Sequence, residues 1–173
     1  MAQKDPRRRL KTIAPLILVI FALLFIRTPS LAGQFKVTRV HDGETIRAEG
    51  YGIEIVVRLA GIEIPVASEQ NHQSLALEAK SYLADMILNK MIDIKGHGLD
   101  EINRVLGVIT IQRMNVNLEM IKAGYAIVYR RDPPHPLYLL PYVKAEEAAK
   151  RSRKGIWATD TGIDLSRQSQ ASP

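Results

Sequence analysis

Glu44 and Glu63 stand on either side of an arginine, Arg58, that interrupts an apolar run between Val57 and Leu59. Such residue types allow two outcomes when they share a small volume. Carboxylate oxygens suit a hard cation, and an arginine fork binds phosphate as well as carboxylate. The plainer outcome is a structural ion pair of Arg58 with Glu44 or Glu63, and on these residues alone it is the favoured one. A second arginine, Arg104, lies in the segment DEINR further along the chain.

The elements that must position these groups begin with Phe35 to Val66, which holds three strand-like runs. Phe35 to Val40 alternates and is rich in β-branched residues, so a strand is expected. His41-Asp42-Gly43 reads as a turn, Thr45 to Glu49 resumes the alternation, and Gly50-Tyr51-Gly52 breaks it. Ile53 to Ala60 is a third strand, and Pro65 forbids further ladder pairing where it stands. Val66 to Ser74 is polar and aperiodic and reads as a mobile loop.

Leu75 to Leu88 then shows a helical face, Met91 to Ile94 a fourth strand, Gly96-His97-Gly98 a loop, and Val105 to Ile111 a fifth strand. Asn115 to Ala123 is an amphipathic helix that Asn115 or Asn117 can cap and Gly124 stops. Asp132 to Pro141 carries four prolines and reads as an irregular loop. Tyr142 to Lys154 is a helix ended by Gly155, and the lone Trp157 packs as a clasp over the core. Five strands, with one helix after the third and the others at the end, imply an α+β fold. The expected architecture is a five-stranded OB-fold Greek-key barrel with about three helices.

Charge narrows the function classes. The chain has 173 residues and a formal net charge of +6. Residues 1–32 hold six of the basic side chains against Asp5, or +5. The rest holds 18 Lys and Arg against 17 Asp and Glu, or +1. The basic character therefore belongs to the leader, and any polyanion binding must come from local clustering. With no cysteine, disulfides and thiolate metal sites are excluded.

The leader itself pairs a basic segment with an apolar run of 14 residues, Ile13 to Ile26, followed by Ser30-Leu31-Ala32. That run fits a signal-peptide core of about 7–15 residues and falls short of the roughly 20 that span a bilayer. A signal peptide cleaved after Ala32 is expected. The alternative is an uncleaved anchor, and in both cases the domain is exported to a periplasmic or extracellular site. The organisation is then a leader at 1–32, a domain at 33–160 and a polar tail at 161–173.

The segments HDGETI, VRLAGIEIP, DEINRVLGVI, NVNLEMIKAGYAIVY and KAEEAAKRSRKGIW follow one another in unbroken order. Together they resemble the staphylococcal nuclease family over roughly Phe35 to Trp157. The resemblance implies Ca²⁺-dependent hydrolysis of DNA and RNA phosphodiester bonds by an OB-fold barrel with three helices. It implies catalytic roles for Arg58 and Arg104 and metal-binding roles for Glu44, Glu63 and the Ile64 carbonyl. The last three positions carry aspartate, aspartate and threonine in the family. Val66 stands where the family has the glutamate assigned as general base.

Two arginines would clamp a phosphate and stabilise the charge growing on its oxygens, while a carboxylate activates the attacking water. Exchanging Asp for Glu moves each carboxylate by about 1.5 Å, which Ca²⁺ tolerates. Valine at position 66 can neither accept a proton nor hold a water. Glu69 and His72, in the expected loop, are candidate replacement bases, although solvated loop residues are the plainer reading. Tyr129 is a candidate for stacking a base, with packing preferred. His41 and His97 read as surface residues. Lys150-Arg151-Ser152-Arg153-Lys154 either contacts nucleic acid or complements a helix C-terminus.

Three functions follow as expectations. The first is a monomeric module that binds single-stranded or flexible nucleic acid but is catalytically impaired. The second is a slow Ca²⁺-dependent nuclease. The third is a structural or protein-interaction OB domain. Under each of them the membrane is touched only through an uncleaved N-terminal segment.

Overall fold

The computed structural model describes residues 34–65, 72–131 and 137–158. The leader, the tail, Val66 and Glu69 lie outside them, as do residues 132–136 of the proline-rich segment. Strands β1 (Gln34–Val40), β2 (Thr45–Gly50) and β3 (Ile53–Leu59) form an antiparallel meander, with Thr45 opposite Arg58. Strand β5 (Met91–Leu99) pairs with β1, and β6 (Val105–Ile111) pairs with β5. A parallel pairing of β3 with β6, Val57 to Val105 and Arg58 to Leu106, closes the ring. The result is the expected five-stranded barrel with three helices.

The alternation read in the sequence becomes the barrel interior. Val37, Ile46, Ala48, Val57, Leu59, Ile92 and Ile109 all point into one core. Helix α1 (His72–Ile87) seals it with Ala79, Leu83 and Ile87, and α2 (Val116–Lys122) with Val116, Met120 and Ile121. At Gly43, in the β1–β2 turn, a Cβ would lie 2.7 Å from Ala79 Cβ, so only glycine lets this turn press on α1. Asn115 caps α2 by accepting from the Leu118 N–H at 3.0 Å. Gly124 ends that helical stretch at φ 79° and donates to the Ile121 carbonyl.

Several boundaries differ from expectation for identifiable reasons. β5 continues through Gly96-His97-Gly98, because a register shift between Gly96 and Leu99 absorbs the glycines as a bulge. α1 begins at His72, so this candidate base opens a helix and does not sit in a loop. Helix α3 (Leu140–Arg151) begins earlier than read and takes Pro141 into its first turn, where no N–H is needed. Two short strands had no signal in the sequence. These are β4 (Ile62–Glu63) and β8 (Ile127–Val128), which pair with each other; β7 (Met114–Asn115) turns back to pair antiparallel with the end of β6.

A smaller apolar cluster of Ile127, Ala149, Ile156 and Trp157 fastens α3 and a final 3₁₀ turn, Gly155–Ala158. Beside it Glu146, only 1% exposed, receives Arg130 at 2.6 Å, the Val128 N–H at 3.0 Å and Lys150 at 3.4 Å. Burial alone would raise the Glu146 pKa. The bonds from Arg130 and Val128, with the charges of Arg130 and Lys150, outweigh it and hold the carboxyl below its usual range.

A depressed folded pKa contributes stability above the unfolded value, near pH 4.3, and loses it as pH falls through the folded value. Glu146→Gln is therefore expected to cost about 1–2 kcal/mol at pH 7 and to flatten the stability profile below about pH 4.5. Urea denaturation repeated from pH 7 to pH 3 reads both effects. Equal pH profiles for parent and variant would contradict this assignment.

Candidate nucleic-acid site

The sequence-predicted groups meet at one end of the barrel. Asp42 Oδ1 accepts the Glu44 N–H at 2.8 Å, an Asx turn that fixes the backbone beneath Glu44. The Glu44 carbonyl in turn accepts from the Leu59 N–H at 2.8 Å. Its carboxylate is thereby aimed across the strand end. Oε1 lies 3.2 Å from Arg58 Nη2, and Oε2 accepts the Ile64 N–H at 3.0 Å. Burial raises the Glu44 pKa, and the opposing pull of Arg58 and the Ile64 N–H does not cancel it.

Arg58 itself is 22% exposed at its side chain, and it lines an open cavity of about 350 Å³. Arg104 lines the same cavity from the β5–β6 turn. Asp100 holds Arg104 in place. Its Oδ1 accepts the N–H groups of Ile102 and Arg104, and its Oδ2 accepts from Arg104 Nε at 2.6 Å. Desolvation opposes ionisation of Asp100, but these bonds prevail and its pKa falls. Arg104 Nη1 also lies 3.4 Å from Thr45 Oγ1, the residue paired with Arg58 across β2 and β3.

Tyr129 is the third wall that matters. Its N–H donates to the Gly61 carbonyl at 3.0 Å, placing its ring on the cavity. The Arg58 guanidinium lies 5.6 Å from the ring centroid, within cation–π range. Packing, the reading preferred from sequence, therefore understates this residue, because its ring faces the cavity as well. Leu99, Ile102 and Leu106 give the cavity an apolar border, and Glu101 adds a carboxylate that makes no ion pair among the described residues.

Glu63 is held differently from Glu44. Its Oε2 receives Arg131 Nη2 at 2.8 Å, and the Arg131 guanidinium lies 5.6 Å from the Tyr129 ring centroid. Sequence reasoning missed Arg131, whose partner is 68 residues away. The only available signal was the Arg130-Arg131 pair following the last apolar run. Lys150 of the basic cluster is engaged by Glu146 and lies over the Trp157 ring at 4.6 Å, whereas Arg151, Arg153 and Lys154 are exposed.

Two phosphate-matching forks and an aromatic face on one cavity can grip a phosphodiester, while Glu44 and Glu63, which do not line that cavity, are held by Arg58 and Arg131. Comparison with known proteins points the same way. The profile of the family described as staphylococcal nuclease homologue matches residues 56–159. A Haemophilus influenzae protein described as an uncharacterized endonuclease is 33% identical over 133 residues, covering 76% of this chain and 70% of that protein. A micrococcal nuclease of Shigella flexneri is 29% identical over 147 residues, covering 79% of this chain and 80% of its own length. A protein of Komagataella phaffii described as a probable endonuclease is 33% identical over 117 residues, and the chain spans 51% of that protein's length. This chain belongs to the staphylococcal nuclease family.

Proposed function

We propose that this protein is an exported nucleic-acid-binding member of its family, with hydrolysis weakened by Val66 at the position expected to supply the general base. The observation that carries the binding half is the convergence of Arg58, Arg104 and Tyr129 on a single cavity. Arginine forks match phosphate oxygens, and an aromatic face accepts any base that has left its stack. A strand free to splay its bases suits such a site better than a rigid duplex. Export rests on the leader pattern, a basic segment and a short apolar run before Ser30-Leu31-Ala32.

The residues present fit a calcium ion, with a modest donor set. Glu44, Glu63 and the Ile64 carbonyl offer only hard oxygens, and the half-buried Glu44 carboxylate is bonded to the Ile64 N–H, which brings Glu44 beside Ile64. Among the described residues no three acidic or histidine side chains gather, so water and substrate oxygens would complete the shell. Bound there, the ion would polarise the phosphoryl group. The chain's own residues do the rest. Arg58 and Arg104 orient the phosphate, Asp100 keeps Arg104 extended toward it, and Tyr129 takes a base.

A second reading, slow calcium-dependent hydrolysis, is favoured by Glu101. This carboxylate lines the same cavity and makes no ion pair among the described residues, so it is available to accept a proton from water.

Fluorescence anisotropy with labelled single-stranded DNA and RNA tests the proposal. Either Arg58→Ala or Arg104→Ala is expected to weaken binding about tenfold. Each is also expected to reduce the slope of log affinity against log salt by about 0.7. Affinity and slope unchanged in both variants would remove the cavity as the binding site.

A further inference from the structure

We propose that Arg131 is the resident counter-cation of Glu63 and competes with a divalent cation for that carboxylate. The inference rests on the calcium reading above and concerns a residue that reading does not use. Strand β8 runs antiparallel to β4, with Glu63 opposite Ile127. The chain leaving β8 therefore returns Arg131 to the rim that carries Glu63, where Nη2 reaches Oε2 at 2.8 Å.

The two acidic groups are occupied unequally. Glu44 is tied at both oxygens, to Arg58 and to the Ile64 N–H. The contact of Glu63 among the described residues is Arg131 alone, and that side chain is 70% exposed. An ion pair with so exposed a partner is weak and easily replaced. A divalent ion carries twice the charge and draws on the same carboxylate, so the two cations compete for it.

Charge sets the direction. Glu44 and Glu63 are balanced by Arg58 and Arg131 when no metal is bound. Adding a divalent ion leaves an excess of positive charge at the rim, and the more exposed arginine of the set is Arg131, at 70% against 22% for Arg58. Once released, its guanidinium remains beside Tyr129, on the side from which an anionic strand would approach. Metal entry thus exchanges a pair within the protein for a donor available to substrate. By reciprocity, a chain lacking Arg131 holds the ion more tightly.

Isothermal titration of the full chain in mild detergent with calcium chloride alone, without nucleic acid, tests this. Arg131→Ala should bind calcium about three- to tenfold more tightly than the parent. Arg113→Gln removes the same charge from an exposed turn at the far end of β6 from Arg104, and should leave the affinity unchanged. Equal affinity in parent and Arg131→Ala, or weaker binding in the variant, overturns the competition while leaving the calcium site standing. Equal tightening in Arg113→Gln overturns it as well, since the effect would then be one of net charge. Absence of calcium binding in both parent and Arg131→Ala overturns the calcium reading and this inference together.

Discussion

Val66→Glu is expected to raise the rate of single-stranded DNA cleavage in calcium by about 10²–10⁴-fold, the usual worth of general-base assistance. That factor corresponds to about 2.7–5.5 kcal/mol of barrier. The expectation follows from what the barrel end already holds. Arg58 and Arg104 line one cavity, the Asp100 carboxylate fixes Arg104 by two hydrogen bonds, and Glu44 stands beside Ile64. On the proposed reading, a carboxylate two residues after Ile64 supplies the one part that this set lacks. A gel assay with calcium or EDTA reads the effect. A variant no faster than its parent would show that more than the base has been lost.

Asn117→Ala is expected to destabilise the domain by about 3–4 kcal/mol, and by more than any surface substitution. Asn117 is fully buried. Its Nδ2 donates to the carbonyls of Ala60 and Gly107, each at 3.0 Å, and its Oδ1 accepts the Ile109 N–H at 3.0 Å. The Gly107 carbonyl keeps a second donor, the Ala60 N–H at 2.8 Å. Truncation therefore strands two buried groups, the Ala60 carbonyl and the Ile109 N–H, at about 1–3 kcal/mol each.

The same contacts fix the end of β3 against β6, the strands adjoining Arg58 and Arg104. Nucleic-acid affinity should fall with stability for that reason. Thermal denaturation would show a midpoint lowered by roughly 10 °C or more. A midpoint within a degree or two of the parent would mean that water or a backbone shift satisfies these groups.

The barrel was legible because its strands alternate, and alternation survives in a single sequence. Arg58 stood out for the same reason, as a charge placed between Val57 and Leu59 in an apolar run. The pairing of Arg58 with Glu44 is the ion pair that the residues alone favoured, and the place of Arg58 on the cavity leaves the phosphate reading open. Asn117 was visible only as a possible cap, since nothing local marks a side chain that serves three distant backbone groups. Arg131 was invisible because its partner lies across β4 and β8, strands of two residues that carry no period. Gly96 and Gly98 read as loop punctuation, although a bulge lets them stay in β5. Glu69, a candidate base, lies outside the described residues, and Glu101, which nothing marked in the sequence, lines the cavity.

The most direct test takes one sample of the parent chain with labelled single-stranded DNA in calcium and reads it twice. Anisotropy reports binding at once, and a denaturing gel reports product after long incubation. The expected result is saturable binding that Arg58→Ala weakens about tenfold, with product forming far more slowly than under Val66→Glu. Cleavage by the parent as fast as by Val66→Glu would contradict it, as would binding indifferent to Arg58.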